Sequence, residues 1–299
     1  MPVAPTTASP IALLGTGLLG SAIASRLLQQ GETVCVWNRT PERCAPLLEA
    51  GAQVGGDAAT AVAPARWVIT VLSDGPTTQA VLDQLGPALA GKGVIQMGTI
   101  GPDESQALAA LVQRWGGSYL EAPVLGSRPE ALQGQLQLMA GGAAELVDQA
   151  MPLLRQLATE PVRMGEVGSA MATKLALNQL IASLTHSFSL SLHLVQRSGV
   201  AVPAFMELLR HSALYAPTFD KKLERELLGH YSDPNFPTAH LRKDLALFQG
   251  AAQRAGLDSR GLGGLLTLLE GATAAGLDGL DYCALHELTA GRAAAAAPD

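Results

Sequence analysis

The stretch Ile11-Ala-Leu-Leu-Gly15-Thr-Gly17-Leu-Leu-Gly20 decides the fold. Four apolar residues read as a buried strand, three glycines follow at G-x-G-x-x-G spacing, and a helical pattern then runs from Leu19 to Gln30 and ends at Gly31. Thr33 to Trp37 reads as a second strand, completing a βαβ unit of roughly 30 residues. In that setting Gly15 permits a tight turn, Gly17 lets backbone approach a pyrophosphate, and Gly20 lets helix and strand pack closely. The helix start adds N–H groups and partial positive charge. Gly15, Thr16, Gly17, Leu18, Leu19 and Gly20 are therefore expected to hold a dinucleotide.

Working outward, β-type runs recur at 67–72, 94–97, 118–122, 135–140 and 162–164, separated by helical patterns such as 76–89 and 105–114. This alternation predicts an α/β fold with an N-terminal Rossmann-type doubly wound parallel sheet over 11–166. After Gly168 the pattern becomes almost purely helical. Met171, Leu175, Leu180, Ile181, Leu184 and Phe188 suggest one apolar stripe, with Ser169 as N-cap, and further helices are expected at 203–212, 219–229, 239–255 and 260–275. An all-α C-terminal domain over 167–290 is expected to carry substrate and dimer contacts, with a cleft between the two domains. Residues 1–10 read as a disordered arm and 291–299, with the run Ala293 to Ala297, as a flexible tail.

The 299 residues are 48% hydrophobic and 15% charged, enough apolar content to bury a large core and to exclude a mainly disordered chain. A net charge of −6 argues against a nucleic-acid partner. No apolar run reaches the length of a membrane span and no secretory leader is evident, so a cytoplasmic protein is expected. The three cysteines, Cys35, Cys44 and Cys283, lack metal-ligand spacing and read as structural thiols; no metal site is expected. His186 and His193 share one helix face without a third ligand and read as core or interface residues.

The end of the second strand bears on cofactor choice. An NAD-selective site places a carboxylate there for the ribose 2′-hydroxyl. Here Asn38-Arg39-Thr40 stand instead. Arg39 can make a forked contact to a 2′-phosphate that no carboxylate repels, so NADP is expected over NAD.

Lys174 interrupts the apolar stripe of the long helix, and Asn178 lies four residues on, so both project from one face. Such a lysine can protonate a carbonyl oxygen as hydride arrives, or can be an ordinary snorkelling side chain. Spacing alone leaves both readings open.

Five motifs then occur in order: Gly15-x-Gly17-x-x-Gly20, Glu121-Ala-Pro-Val-Leu-Gly126, Gly134-x-Leu136-x-x-Met139-x-Gly141-Gly142, Gly168-x5-Lys174-x3-Asn178 and Lys243-Asp244-Leu245. Together, from about Ile11 to Leu288, they resemble the β-hydroxyacid dehydrogenase family, most closely its glyoxylate/succinic semialdehyde reductase branch. The resemblance implies that Lys174 is the catalytic acid/base with Asn178 beside it. It places Leu72, Ser73, Thr99 and Lys243 with the cofactor. It assigns the substrate to Leu125, Gly126, Ser127, Lys174, Asn178, Phe236 and Asp244, with a substrate carboxylate received on backbone N–H groups of Gly126 and Ser127. The stripe at Ile181, Leu184 and Phe188 reads as core and also as a candidate dimer seam, and because the long helix carries oligomer contacts in the resembled family, a homodimer is implied. The family's Pro-Val-Ser-Gly is here Pro123-Val124-Leu125-Gly126, which removes a hydroxyl expected to bind substrate, and Leu190 stands where an acidic residue is usual.

The expected function is an NADPH-dependent reductase of small aldehyde acids such as glyoxylate and succinic semialdehyde. An imine reductase of the same architecture is the alternative, kept open by Leu125. A non-catalytic NADP-binding module is the alternative from another class.

Overall fold

In the computed structural model, which describes residues 10–291, the opening stretch folds as read. Residues 1–9 of the expected arm and all of the expected tail beyond Gly291 lie outside the described residues. The chain divides into two compact units at Leu175/Ala176.

The first unit alternates strands and helices. Its strands are β1 (Ile11–Leu14), β2 (Val34–Trp37), β3 (Gln53–Val54), β4 (Trp67–Thr70), β5 (Gly93–Gln96), β6 (Ser118–Glu121), β7 (Val124–Leu125), β8 (Gln137–Gly141) and β9 (Val162–Gly165). Between them run α1 (Leu18–Gln29), α2 (Ala45–Glu49), α3 (Ala58–Val62), α4 (Gly75–Leu85), α5 (Pro102–Arg114), α6 (Arg128–Gln133) and α7 (Ala144–Leu154). The order across the sheet is β3-β2-β1-β4-β5-β6-β8-β7, with β9 against β8. From β3 to β6 every pairing is parallel, whereas β8 meets both β6 and β7 antiparallel. The order reverses between β1 and β4, the switch point at whose carboxyl ends open α/β sheets bind ligands.

Alternation along the strands explains why helices cover both faces. Ile11, Leu13, Val34, Val36 and Ile69 pack with Ile23 and Leu27 of α1 and with Val147 and Leu154 of α7. Ala12, Leu14, Val68 and Val94 turn to the other side, against Leu82 of α4 and Leu108 and Val112 of α5. Successive side chains point to opposite faces of a strand, so a strand apolar at every position needs cover on both.

The helix α8 (Ser169–Arg197) leads from the first unit into the second, where α9 (Val202–Arg210), α10 (Pro217–Leu228), α11 (Thr238–Arg254), α12 (Gly263–Ala274) and α13 (Leu285–Thr289) follow. Leu241 and Leu245 of α11 pack with Leu265 and Leu269 of α12 and with Leu285. A second cluster joins Phe188 and Leu192 of α8 to Met206 and Phe219, with the Phe188 and Phe219 rings stacked at 4.6 Å. This unit also buries charge. Lys222 Nζ lies 2.7 Å from Asp281 Oδ1 and 4.5 Å from the Tyr282 ring centroid. Burial raises the Glu226 carboxyl to about 8 and lowers His286, stacked on His193 at 3.8 Å, to about 4.

Two expectations for α8 need correction. Ser169 is the first residue of the helix and not the cap before it, and its hydroxyl is turned back to donate to Glu166 O at 2.6 Å. Leu180 is 51% exposed, because nine residues from Met171 at about 100° each turn it to the opposite side. Ile181, Leu184 and Phe188 pack in or against the unit's own cores, as the core reading of that stripe expects.

Candidate functional site

The glycine loop is shaped by contacts that exclude side chains. Gly15 adopts φ +103°, and a Cβ there would lie 2.4 Å from Val71 O. At Gly20 a Cβ would lie 1.9 Å from Gly15 O, so helix and strand meet backbone to backbone. Gly17 is different: nothing stands within 4 Å of its missing Cβ, leaving space directly in front of α1. Gly17 is also the N-cap of α1, without a side-chain cap and with no acidic residue in the first turn. Open space before uncapped amides at a positive helix end fits a diphosphate.

Asn38 braces this loop. Its Oδ1 accepts Thr16 N–H at 3.1 Å and its Nδ2 donates to Thr40 O at 3.0 Å, so both ends of the amide are engaged within the protein. Thr40 and Arg39 are exposed, and Arg39 makes no hydrogen bond or ion pair among the described residues. Leu72 and Ser73 follow β4 and Thr99 follows β5, at the carboxyl ends of the strands beside the switch point. Ser73 Oγ donates to Asp74 Oδ2 at 2.8 Å, and Asp74 in turn caps α4.

The loop after β7 presents Leu125 half-buried and Gly126 exposed at φ +112°. Ser127 is engaged elsewhere than expected. Its amide and its hydroxyl both donate to Glu130 Oε2, each at 2.7 Å, in a capping box that opens α6. An arriving carboxylate would therefore have to displace Glu130 to use the Ser127 amide.

On α8, Lys174 is 9% exposed and Asn178 is fully buried, one turn apart on a common face. Asn178 Nδ2 donates to Asp244 Oδ2 at 2.6 Å, and Lys243 Nζ lies 3.0 Å from Asp244 Oδ1. Asn178 Oδ1 is buried without a hydrogen-bond partner among the described residues. A buried acceptor left open is costly unless a ligand completes it. Phe236 is half-buried with its ring 6.0 Å from that of Tyr282.

Sequence reading did not single out Glu121. It ends β6 with its carboxylate buried and accepts the N–H groups of Ala170 and Met171, at the root of the helix that carries Lys174. Its place in the Glu121-Ala-Pro motif was the available signal. Among the described residues no group of three or more His, Cys, Asp and Glu could hold a metal ion, and no helix is long and apolar enough to cross a membrane.

Residues 10–179 match the NAD binding domain of 6-phosphogluconate dehydrogenase, and residues 168–289 match the NAD-binding domain of NADP-dependent 3-hydroxyisobutyrate dehydrogenase. Glyoxylate/succinic semialdehyde reductase 1 of Arabidopsis thaliana is 30% identical over 281 residues, covering 93% of this chain and 97% of that protein. The 3-hydroxyisobutyrate dehydrogenase of Mycobacterium tuberculosis superposes with a TM-score of 0.86 at 23% identity, over 94% of this chain and 98% of that one. An imine reductase from Aspergillus terreus gives 0.63 at 26% identity, over 94% and 99%.

Proposed function

Because the chain belongs to the β-hydroxyacid dehydrogenase family of NAD(P)-dependent oxidoreductases, in its 3-hydroxyisobutyrate dehydrogenase-like group, we propose that it reduces small aldehyde acids such as glyoxylate and succinic semialdehyde to hydroxy acids, with NADPH as cofactor and Lys174 as general acid. The observation that carries this reading is the buried pair Lys174 and Asn178 on one face of α8, with the Asn178 amide held by Asp244.

The bound cofactor supplies the hydride. The chain's residues do the rest. The Gly15–Gly20 loop and the start of α1 bind the diphosphate, and Arg39 binds the 2′-phosphate. As the carbonyl carbon gains the hydride, Lys174 Nζ gives its proton to the carbonyl oxygen, becomes a neutral amine and is reprotonated from solvent. Before transfer, the ammonium charge favours the anionic substrate and the oxygen's growing negative charge. Asn178 Oδ1 accepts a hydrogen bond from the product hydroxyl once it has formed, or from Lys174 itself. Gly126 receives the carboxylate on its amide, Phe236 walls the pocket, and Leu125 sets its polarity. Thr16, Asn38, Thr40, Leu72, Ser73, Thr99 and Lys243 line or brace the cofactor's place.

A homodimer is part of the proposal. Leu190 and Leu194, 54% and 67% exposed, share a side of α8 with Leu180 and supply the apolar seam. A cytoplasmic location is proposed with it.

Replacing Lys174 by Ala tests the reading. Turnover of glyoxylate should fall by orders of magnitude while NADPH still binds, and near-normal turnover would overturn it. Reduction of cyclic imines is the second reading, favoured by one observation: the apolar, half-buried Leu125 where the family carries a serine.

A further inference from the structure

Glu121 lies at the carboxyl end of β6, and its side chain is fully buried. Oε1 accepts the backbone N–H of Ala170 at 2.7 Å and that of Met171 at 3.1 Å, while Oε2 accepts Ser105 Oγ at 2.6 Å. The Ser105 and Tyr119 hydroxyls share a further hydrogen bond of 2.8 Å. Both carboxylate oxygens are thus engaged, which is what a buried anion requires.

The two amides it accepts are ones the helix cannot serve itself. A helix opens on N–H groups that have no partner one turn back. In α8, Ser169 N–H goes to Glu166 O and Ala172 N–H reaches Gly168 O, so Ala170 and Met171 between them rely on Glu121. The cap comes from a strand 49 residues earlier, and its negative charge faces the positive end of the helix. Across the antiparallel bridge, Gly141 stands opposite Glu121. A Cβ on Gly141 would lie 2.5 Å from Glu121 Oε1, so the glycine leaves the room that the carboxylate fills.

Lys174 follows Ala170 by four residues, one turn further along the same side of α8. Any slip or rotation of the helix root carries Lys174 with it, because a hydrogen-bonded turn moves as a unit. We propose that Glu121 is a positioning residue for Lys174: by pinning the amides of Ala170 and Met171 it fixes the height and phase at which Lys174 meets the reacting oxygen. The proposal rests on the reading of Lys174 as the proton donor. It assigns Glu121 no contact with substrate or cofactor.

Glu121→Asp keeps the charge but draws the carboxylate back by one methylene, so it cannot reach both amides with α8 in place. Glu121→Gln keeps the reach and an acceptor oxygen but removes the charge. With glyoxylate and NADPH, the Asp variant should lose tenfold or more in kcat, up to the roughly hundredfold that a misplacement of about 1 Å costs. Its NADPH Kd by fluorescence titration should stay within twofold, and its primary deuterium isotope effect with 4-deuterated NADPH should rise. In the cofactor-free protein, amide exchange at Ala170 and Met171 should accelerate in the Asp variant. Glu121→Gln should recover most of the lost kcat and of the exchange protection. Native kcat in Glu121→Asp overturns the proposal, as does an NADPH Kd that weakens in step with kcat, or Glu121→Gln as impaired as Glu121→Asp. Lys174→Ala run beside them separates the two ideas. If it turns over normally, the reading of Lys174 fails; if it is dead while Glu121→Asp is normal, only the role of Glu121 fails.

Discussion

Asn178 Nδ2 donates to Asp244 Oδ2 at 2.6 Å, joining α8 to α11 across 66 residues of sequence. Both residues are buried, and the second carboxylate oxygen pairs with Lys243 Nζ at 3.0 Å. The amide nitrogen is thus turned toward the carboxylate, and its oxygen is buried without a hydrogen-bond partner among the described residues. Asp244→Ala should cost about 1–3 kcal/mol of stability in urea denaturation, because a buried N–H loses its acceptor. A double-mutant cycle with Asn178→Ala should give a coupling of about 0.5–3 kcal/mol. Strict additivity would show that the contact does not organise the site.

Arg39 bears on cofactor choice alone. It is exposed and makes no hydrogen bond or ion pair among the described residues, so its removal should leave the fold untouched. A charge-assisted contact to phosphate predicts that Arg39→Ala weakens NADPH binding by about tenfold or more while the NADH Kd stays within twofold. Isothermal titration with both dinucleotides checks this. Equal losses for the two would remove the 2′-phosphate from the account.

Leu125→Ser restores a hydroxyl at the start of the substrate loop. The expected outcome is a rise of about tenfold or more in kcat/KM for glyoxylate, since a hydrogen bond to a charged group contributes about 1.5–3 kcal/mol. Reduction of a cyclic imine should fall in the same variant. A fall in glyoxylate activity would mean that the apolar side chain is itself part of the recognition.

The second unit carries its own pH response. Glu226, held at about 8 by burial, keeps its proton in the folded chain where the unfolded chain has lost it. The folded state then binds more protons between about 4.5 and 8, and stability falls as pH rises through that window. Glu226→Gln should abolish this slope and stabilise the protein at pH 8 by on the order of a few kcal/mol. His286 acts in the opposite sense. Burial and the neighbouring His193 hold it at about 4, so the unfolded chain binds the extra proton below 6.5 and stability is lost as pH falls from there. Thermal melts of the native protein and of Glu226→Gln from pH 4.5 to 8.5 separate the two slopes.

How much of this was legible in the sequence depended on the range of the signal. β1, α1 and β2 were readable because strand, glycine spacing and helix periodicity lie within one continuous stretch. β3 and β7 were not recognised as strands, since two residues carry no periodicity and Gln53 and Val54 are exposed. The antiparallel setting of β8 escaped as well, because strand direction is decided by the connection and not by the residues of the strand. In the site, Lys174 and Asn178 were legible as a helical pair. The partners that hold them were not: Asp244 reaches Asn178, and Glu121 reaches the root of α8, through contacts that only the folded chain brings together. Ser127 was legible as a loop residue, but its commitment to Glu130 needed the geometry.

Gly141 and Glu121 form a pair whose substitutions do not commute. An alanine at 141 would drive its methyl into the carboxylate at 121, yet the same alanine costs little once a smaller, neutral side chain occupies 121. A descendant of this chain could lose the glutamate first and the glycine afterwards, but not in the reverse order. The motif around Met139 is thus tied to the one around Pro123 by a rule of succession that packing imposes.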